Sequence, residues 1–305
     1  MKKFAKGSLI FAGILFTIGV VILIICSFFA GGRLRNALSD TVSTELHRAL
    51  HGNFLYLWNG NYNHRFNRHY PTHSGSYTDD NAAKASDITE LYIELNYADF
   101  TLAPSLDDSF HISSEGSGKY QYYTDDSVFY LNGPFDRRIG SFNKLTLEVP
   151  NIDFSNVNID FGAGTATLSS LKSDSLSISI ASGELTLDGA DCDYISTEVG
   201  AGSASIKNGK TQNADFEIGM GKLDYSGYID ADLVAEVGMG NITLLIGDTQ
   251  EEHNYDLECA MGNITLGQKS YGGMVLETEI DNQADSNYSL ECGMGNIDIT
   301  FQNIE

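Results

Sequence analysis

The chain has 305 residues, with 18 Lys or Arg against 41 Asp or Glu and a formal net charge of −23. An apolar fraction of 42% supplies a core and excludes global disorder, while the acidity excludes a nucleic-acid binder and a bulk that docks on anionic lipid. The four cysteines, Cys26, Cys192, Cys259 and Cys292, are too few to staple a scaffold of this length.

Gly7 to Gly32 holds no charged residue, and Ser8 to Ala30 is a run of 23 largely apolar residues. As a helix rising about 1.5 Å per residue it is about 35 Å long, enough to cross a hydrocarbon layer of about 30 Å. A cleavable leader has an apolar stretch of only about 7–15 residues. Residues 1–32 therefore read as a short cytoplasmic tail and one transmembrane helix, with 8–30 in the membrane. Cleavage at Ala30-Gly31-Gly32 is the alternative. Lys2, Lys3 and Lys6 before the run, against Arg33 and Arg35 after it, bias the N-terminus toward the cytoplasm. The expectation is a single-pass protein of the cell membrane with its C-terminal bulk outside the cytoplasm.

Residues 33–86 read as a juxtamembrane helix and a polar spacer. Leu34, Leu38, Val42, Leu46 and Leu50 recur every four residues, an amphipathic pattern that Gly52 ends. Trp58 and Tyr56 suit a membrane interface. His47 and His51 have the spacing of a helical metal clamp, but no Cys or close carboxylate pair completes a ligand set. A histidine-bearing spacer is the plainer reading.

From residue 87 to 302 the chain repeats. The second glycine of a Gly-x-Gly-like motif falls at 164, 183, 202, 221, 240, 262 and 295, in steps of 19, 19, 19, 19, 22 and 33. Three residues before it stand Leu95, Phe161, Ile180, Val199, Ile218, Val237, Cys259 and Cys292; two after it stand Phe100, Ala166, Leu185, Ala204, Leu223, Ile242, Ile264 and Ile297. Alternation with period two on both sides of a glycine corner means two strands per copy, each with one buried face. A 19-residue unit cannot bury that face alone, and stacking like units can. The spacing predicts an all-β, parallel β-solenoid of about 19 residues per coil, right-handed by the usual chirality of parallel crossovers. Residues 87–150 form its irregular N-terminal part and 151–302 its regular repeats. Within the former, strands are predicted near 110–113, 120–123, 128–131 and 144–149. The last coil, Tyr288 to Phe301, is followed by too little chain to cap it, so its edge is expected to be charged or to pair end to end with a second subunit.

Four residues before the reference glycine stand Glu94, Asp160, Ser179, Glu198, Glu217, Glu236, Glu258 and Glu291. Alternation points them outward, where stacked carboxylates repel. Glu198, Glu217, Glu236, Glu258 and Glu291 are thus a candidate cation ladder for Ca²⁺, a hard ion suited to oxygen ligands. A solvated acidic face is the plainer alternative. Cys259 and Cys292 share an inward column, within disulfide reach if their coils are neighbours, or two buried thiols. Met220, Met239, Met261 and Met294 form a corner row, either packed in the corner or offered as an adaptable apolar strip.

No catalytic set emerges. Gly219-Met220-Gly221-Lys222 lacks the first glycine and the closing Ser or Thr of a phosphate loop. Residues 151–305 hold five Lys or Arg and one histidine, His253, at no shared column. The charged start, the anchor, the strand end at Val149-Pro150 and repeats ending in Gly-Asn-Ile-Thr-Leu (240–244) resemble a bacterial membrane-anchored envelope family of unknown function labelled "putative adhesin", over about residues 87–302. The resemblance implies envelope binding and supplies no catalytic residues. The chain is therefore expected to be a non-catalytic, extracytoplasmic binding or scaffold module. Its partners would be the membrane through residues 8–30 and an envelope protein or glycan, not nucleic acid. An envelope-stress sensing or regulatory accessory acting on a membrane protein, and a glycan-active enzyme, are the alternatives.

Overall fold

The computed structural model describes residues 70–133, 144–272 and 275–302. The apolar run 8–30, the helix expected over 34–50, His47, His51 and Trp58 lie outside these residues. No helix among the described residues is long and apolar enough to cross a membrane.

The chain order is β1 (His73–Ser74), β2 (Tyr77–Lys84), β3 (Glu90–Pro104), β4 (Ser109–Glu115), β5 (Lys119–Asp125), β6 (Val128–Gly133) and β7 (Lys144–Val149). Then come β8 (Phe154–Ile180), β9 (Glu184–Val199), β10 (Ser203–Ile218), β11 (Lys222–Ile229), β12 (Leu233–Val237) and β13 (Asn241–Ile246). The chain finishes with β14 (His253–Cys259), β15 (Asn263–Leu266), β16 (Lys269–Gly272), β17 (Leu276–Ile280), β18 (Ser286–Cys292) and β19 (Asn296–Phe301). The long strands bend at corners, so one strand can serve two sides of a coil.

Each coil contributes one segment to a first wall, before the glycine corner, and one to a second wall, after it. Neighbouring coils pair in parallel along both walls. On the first wall Val199 lies opposite Ile218 and Ile218 opposite Val237; their exposures are 0%, 1% and 3%, so they share one interior stripe. On the second wall Leu185, Ala204, Leu223 and Ile242 form the matching stripe. A short third side, with Leu171 opposite Ala190 and Thr211 opposite Cys192, closes the middle coils. Each fully buried Val, Ile, Leu or Phe contributes about 1.5–3 kcal/mol, which is why the period-two apolar rows dictate this stack.

The corner glycines are required by close approach. A Cβ on Gly240 would point along the stack and meet the carbonyl oxygen of Gly221 well inside 3.0 Å, and a Cβ on Gly221 would meet that of Gly202 in the same way. In this column only Gly164 combines that crowding with a positive φ, +104°.

Coil order departs from sequence order at both ends. β18 lies between β12 and β14, in register with each. β19 likewise lies between β13 and β15. The last coil is therefore internal, which corrects the expectation that Tyr288 to Phe301 carries an open edge for end-to-end pairing. The terminal coil is the one built from β14 and β15, and the antiparallel strands β17 and β16 cover it.

The opposite end repeats the device. β6 and β7 pair in parallel with the two halves of β3, forming a regular outer coil within the stretch expected to be irregular. Antiparallel β5 and β4 cover that coil, and β2 pairs with β4. β2 falls within the stretch read as spacer; its residues Tyr77, Ala82 and Ala83 pack against the core. Phe110 stacks on Phe129 at 4.9 Å between ring centroids and seals this end. Both ends thus avoid a bare parallel edge.

Candidate functional site: the acidic first wall

On the first wall the glutamates run in the order Glu198, Glu217, Glu236, Glu291, Glu258. The antiparallel strand then places Glu277 opposite Glu258. The wall thus carries all five residues picked out by spacing, with the last two exchanged, because Glu291 rides on the inserted coil. Their surroundings differ. Glu198 is buried, Glu217 and Glu258 are half-buried, and Glu236 and Glu291 are exposed.

Burial, then the charges of Glu236 and Asp215, push the Glu217 carboxyl up to about 7. Glu236 and Glu291, although their side chains reach solvent, are raised first by partial desolvation of the carboxyl against the wall, then by Asp215 for Glu236 and by Glu236 and Glu258 for Glu291. Asp215 is also raised by burial, although the Tyr194 hydroxyl donates to it at 3.3 Å. A like-charged row disfavours full ionisation of every member.

These carboxylates stand one per coil, about 4.8 Å apart along a line. Among the described residues no three His, Cys, Asp or Glu side chains group closely enough to hold one metal ion. Calcium takes about six to eight oxygen ligands around a point, so the ladder does not fit a calcium cage. What it forms is a face of one sign. From Phe154 to Cys292 the segments that form the first wall, such as 176–180, 195–199, 214–218, 233–237, 255–259 and 288–292, carry no Lys or Arg. Lys207, Lys222 and Lys269 sit on second-wall strands, Lys172 and Lys210 on the short side. Lys222 is paired with Asp224 at 2.7 Å.

A polar clip that spacing could not reveal joins three coils. Ser286 Oγ donates to the Ala231 carbonyl and meets His253 Nδ1 at 2.6 Å; His253 Nε2 meets Asp248 Oδ2 at 2.9 Å. Beside it, Asp232 accepts from the Asn287 backbone N–H at 3.0 Å, and Asn254 Nδ2 donates to Asn287 Oδ1 at 3.1 Å. His253 is buried and stacks on Tyr288 at 4.0 Å. Ser286 is also buried, and its hydroxyl bonds the coils on either side, which gives this Asp–His–Ser chain a place in the coil order. The only sequence signal was a solitary histidine; Asp248 and Ser286 lie within the two longer steps of the repeat, of 22 and 33 residues. An open groove of about 400 Å³ beside the clip is lined by Asp230, Glu251, Glu252, Asp285 and Ser286.

Cys259 and Cys292 are register partners on neighbouring coils. Both are free, buried thiols. Burial, then the adjacent Cys259, pushes Cys292 up to about 12, and its sulfur donates to the Gly295 carbonyl at 3.0 Å. Of the methionine row, Met220 and Met261 are exposed, Met239 and Met294 half-buried.

The sequence profile described as Toastrack DUF4097 matches residues 86–300, more than two thirds of the chain. No curated protein matches. Among solved structures, the chain is similar to a "putative cell adhesion protein" from Clostridium sporogenes, with 12% identity over 74% of this chain and 100% of that one and a TM-score of 0.34. It is also similar to a "putative adhesin" from Bacteroides fragilis, with 14% identity over 73% and 96% and a TM-score of 0.40. A third is a "putative lipid binding protein" from Parabacteroides distasonis, with 15% identity over 74% and 96% and a TM-score of 0.36.

Proposed function

Because the chain belongs to the Toastrack DUF4097 family, we propose that it is a non-catalytic binding or scaffold module of the cell envelope, held at the membrane by residues 8–30, whose acidic first wall takes a basic protein segment. The observation that carries this reading is the segregation of charge. A rigid wall of one sign, with its lysines on other sides, focuses a negative field toward one approach direction. Exposed Glu236 and Glu291 stand opposite each other at its middle. Such a field repels nucleic acid and anionic polymers and attracts Lys- and Arg-rich segments. It acts over about 8 Å at physiological salt.

The test uses the full chain in detergent and a decalysine probe. Wild type binds the peptide with an affinity that falls steeply with salt, and the Glu236→Gln/Glu258→Gln/Glu291→Gln variant binds at least tenfold more weakly. Equal binding by wild type and variant overturns the assignment of the wall. Capture of envelope proteins with the same pair then names the partner. A partner that survives the triple variant but is lost on deleting residues 1–50 favours the regulatory accessory instead.

A further inference from the structure

We propose that Met220, Met239, Met294 and Met261 form a soft-metal site that binds monovalent copper. The four residues occupy the same corner of four consecutive coils. Met239 N–H donates to Gly219 O at 2.8 Å, Met294 N–H to Gly238 O at 2.7 Å and Met261 N–H to Gly293 O at 2.8 Å. The inserted coil sets the order of the row. Sequence order would set Met261 beside Met239, whereas Met294 stands between them.

Exposure follows the row. The end members Met220 and Met261 are 42% and 52% exposed. The inner members Met239 and Met294 are half-buried. Coils are about 4.8 Å apart. With a metal–sulfur bond of roughly 2.3 Å, two sulfurs on opposite sides of one ion stand roughly 4.6 Å apart, so it is neighbouring members of the row that match one ion. Methionine has three rotatable bonds before its methyl, so adjacent thioethers close that small difference without moving the backbone.

The donor set selects the ion. Thioethers are soft, neutral ligands that favour Cu(I) over hard or borderline cations. No cluster of His, Cys, Asp or Glu among the described residues competes as a chelate. Cys292 and Cys259 lie inside the coil, buried away from the corner row. Three residues before each methionine stands a wall glutamate, Glu217, Glu236, Glu291 or Glu258. These supply a negative potential that concentrates cations beside the row. Binding adds Cu(I) to existing lone pairs; no bond in the protein breaks and no electron is transferred.

The experiment is an anaerobic titration of the full chain, in detergent, against the Cu(I)–bicinchoninate complex. Wild type withdraws about one Cu(I) per chain. The Met220→Leu/Met239→Leu/Met261→Leu/Met294→Leu variant, a near volume-conserving change, binds at least tenfold more weakly, and Cys259→Ser/Cys292→Ser binds as wild type does. Failure of wild type to compete, or equal competition by the four-leucine variant, overturns the proposal. A measurement that needs no variant is methionine-methyl NMR with Ag(I) as the probe. The four row methyls shift together; shifts absent from these four methyls overturn the site.

Discussion

Cys259 and Cys292, 33 residues apart in the chain, face each other across one parallel rung. They meet because the coil of β18 and β19 is threaded between coils made earlier. The chain completes an outer coil, folds β16 and β17 back over it, and returns to fill a gap one coil inside. The result is a stack whose final strands are among its most protected and whose exposed end is an antiparallel cap.

The clip fixes that position, so it should matter to stability. His253→Ala removes a buried ring that bonds both Ser286 and Asp248 and stacks on Tyr288. A lost buried hydrogen bond costs about 1–3 kcal/mol through the partner left behind, and the missing ring adds a cavity. Urea unfolding should show a loss of roughly 3 kcal/mol. Ser286→Ala should lose about 1–2 kcal/mol by the first mechanism alone. An unchanged midpoint for His253→Ala would remove the clip from the account of the coil order.

The corner offers a contrast between neighbouring positions. Gly240→Ala drives a methyl into the Gly221 carbonyl, backbone that cannot yield cheaply. The cost should be roughly 3 kcal/mol, as for overpacking. Met239→Leu, one residue away, should cost under about 1.5 kcal/mol. Thermal melts of the two variants check the pair, and similar losses would show that the corner does not approach its neighbour as described.

The ladder predicts a dependence on pH. Glu217 has a folded pKa near 7, above its ordinary value of 4.5, and Glu236 and Glu291 shift the same way. The native state therefore holds more protons than the unfolded state between those values, and stability falls as pH rises through the window. The contribution of Glu217 is fully present below about 4.5 and is gone once pH passes about 7. The melting temperature should be higher at pH 5.5 than at pH 8. Glu217→Gln should flatten that slope and stabilise the protein at pH 8 by on the order of 1 kcal/mol. A melting temperature that rises from pH 5.5 to 8 would contradict this. Calcium should act on the wall only as a screening ion, matched by sodium at equal ionic strength.

The stack itself was legible from sequence because it rests on local rules. Val199, Ile218 and Val237 recur at a fixed step, alternate with polar residues and sit three before a glycine, and burial of each row follows. The order of coils was not legible. Every copy presents the same rows and the same corner, so a long step between Gly262 and Gly295 looks like an insertion in a loop. The deciding contacts are Ser286 with Ala231 and Asn287 with Asp232, each 55 residues apart, and they carry no periodic signal. The five glutamates were legible as a row for the same reason the core was. Their unequal burial was not, because it depends on which coil neighbours which.

The acidic wall and the methionine row both depend on this order, and cross-linking reads it directly. In a background with all four native cysteines replaced by alanine, two pairs are compared on the outside of the first wall. Val234→Cys/Ser289→Cys joins register partners, about 4.8 Å apart at Cα and inside the range a disulfide spans. Val234→Cys/Asp256→Cys joins positions on coils consecutive in sequence but separated by β18, about 9.6 Å apart and beyond the limit of about 7 Å. Mild oxidation should close the first pair and leave the second reduced; closure of the second with the first left open would contradict the inserted coil.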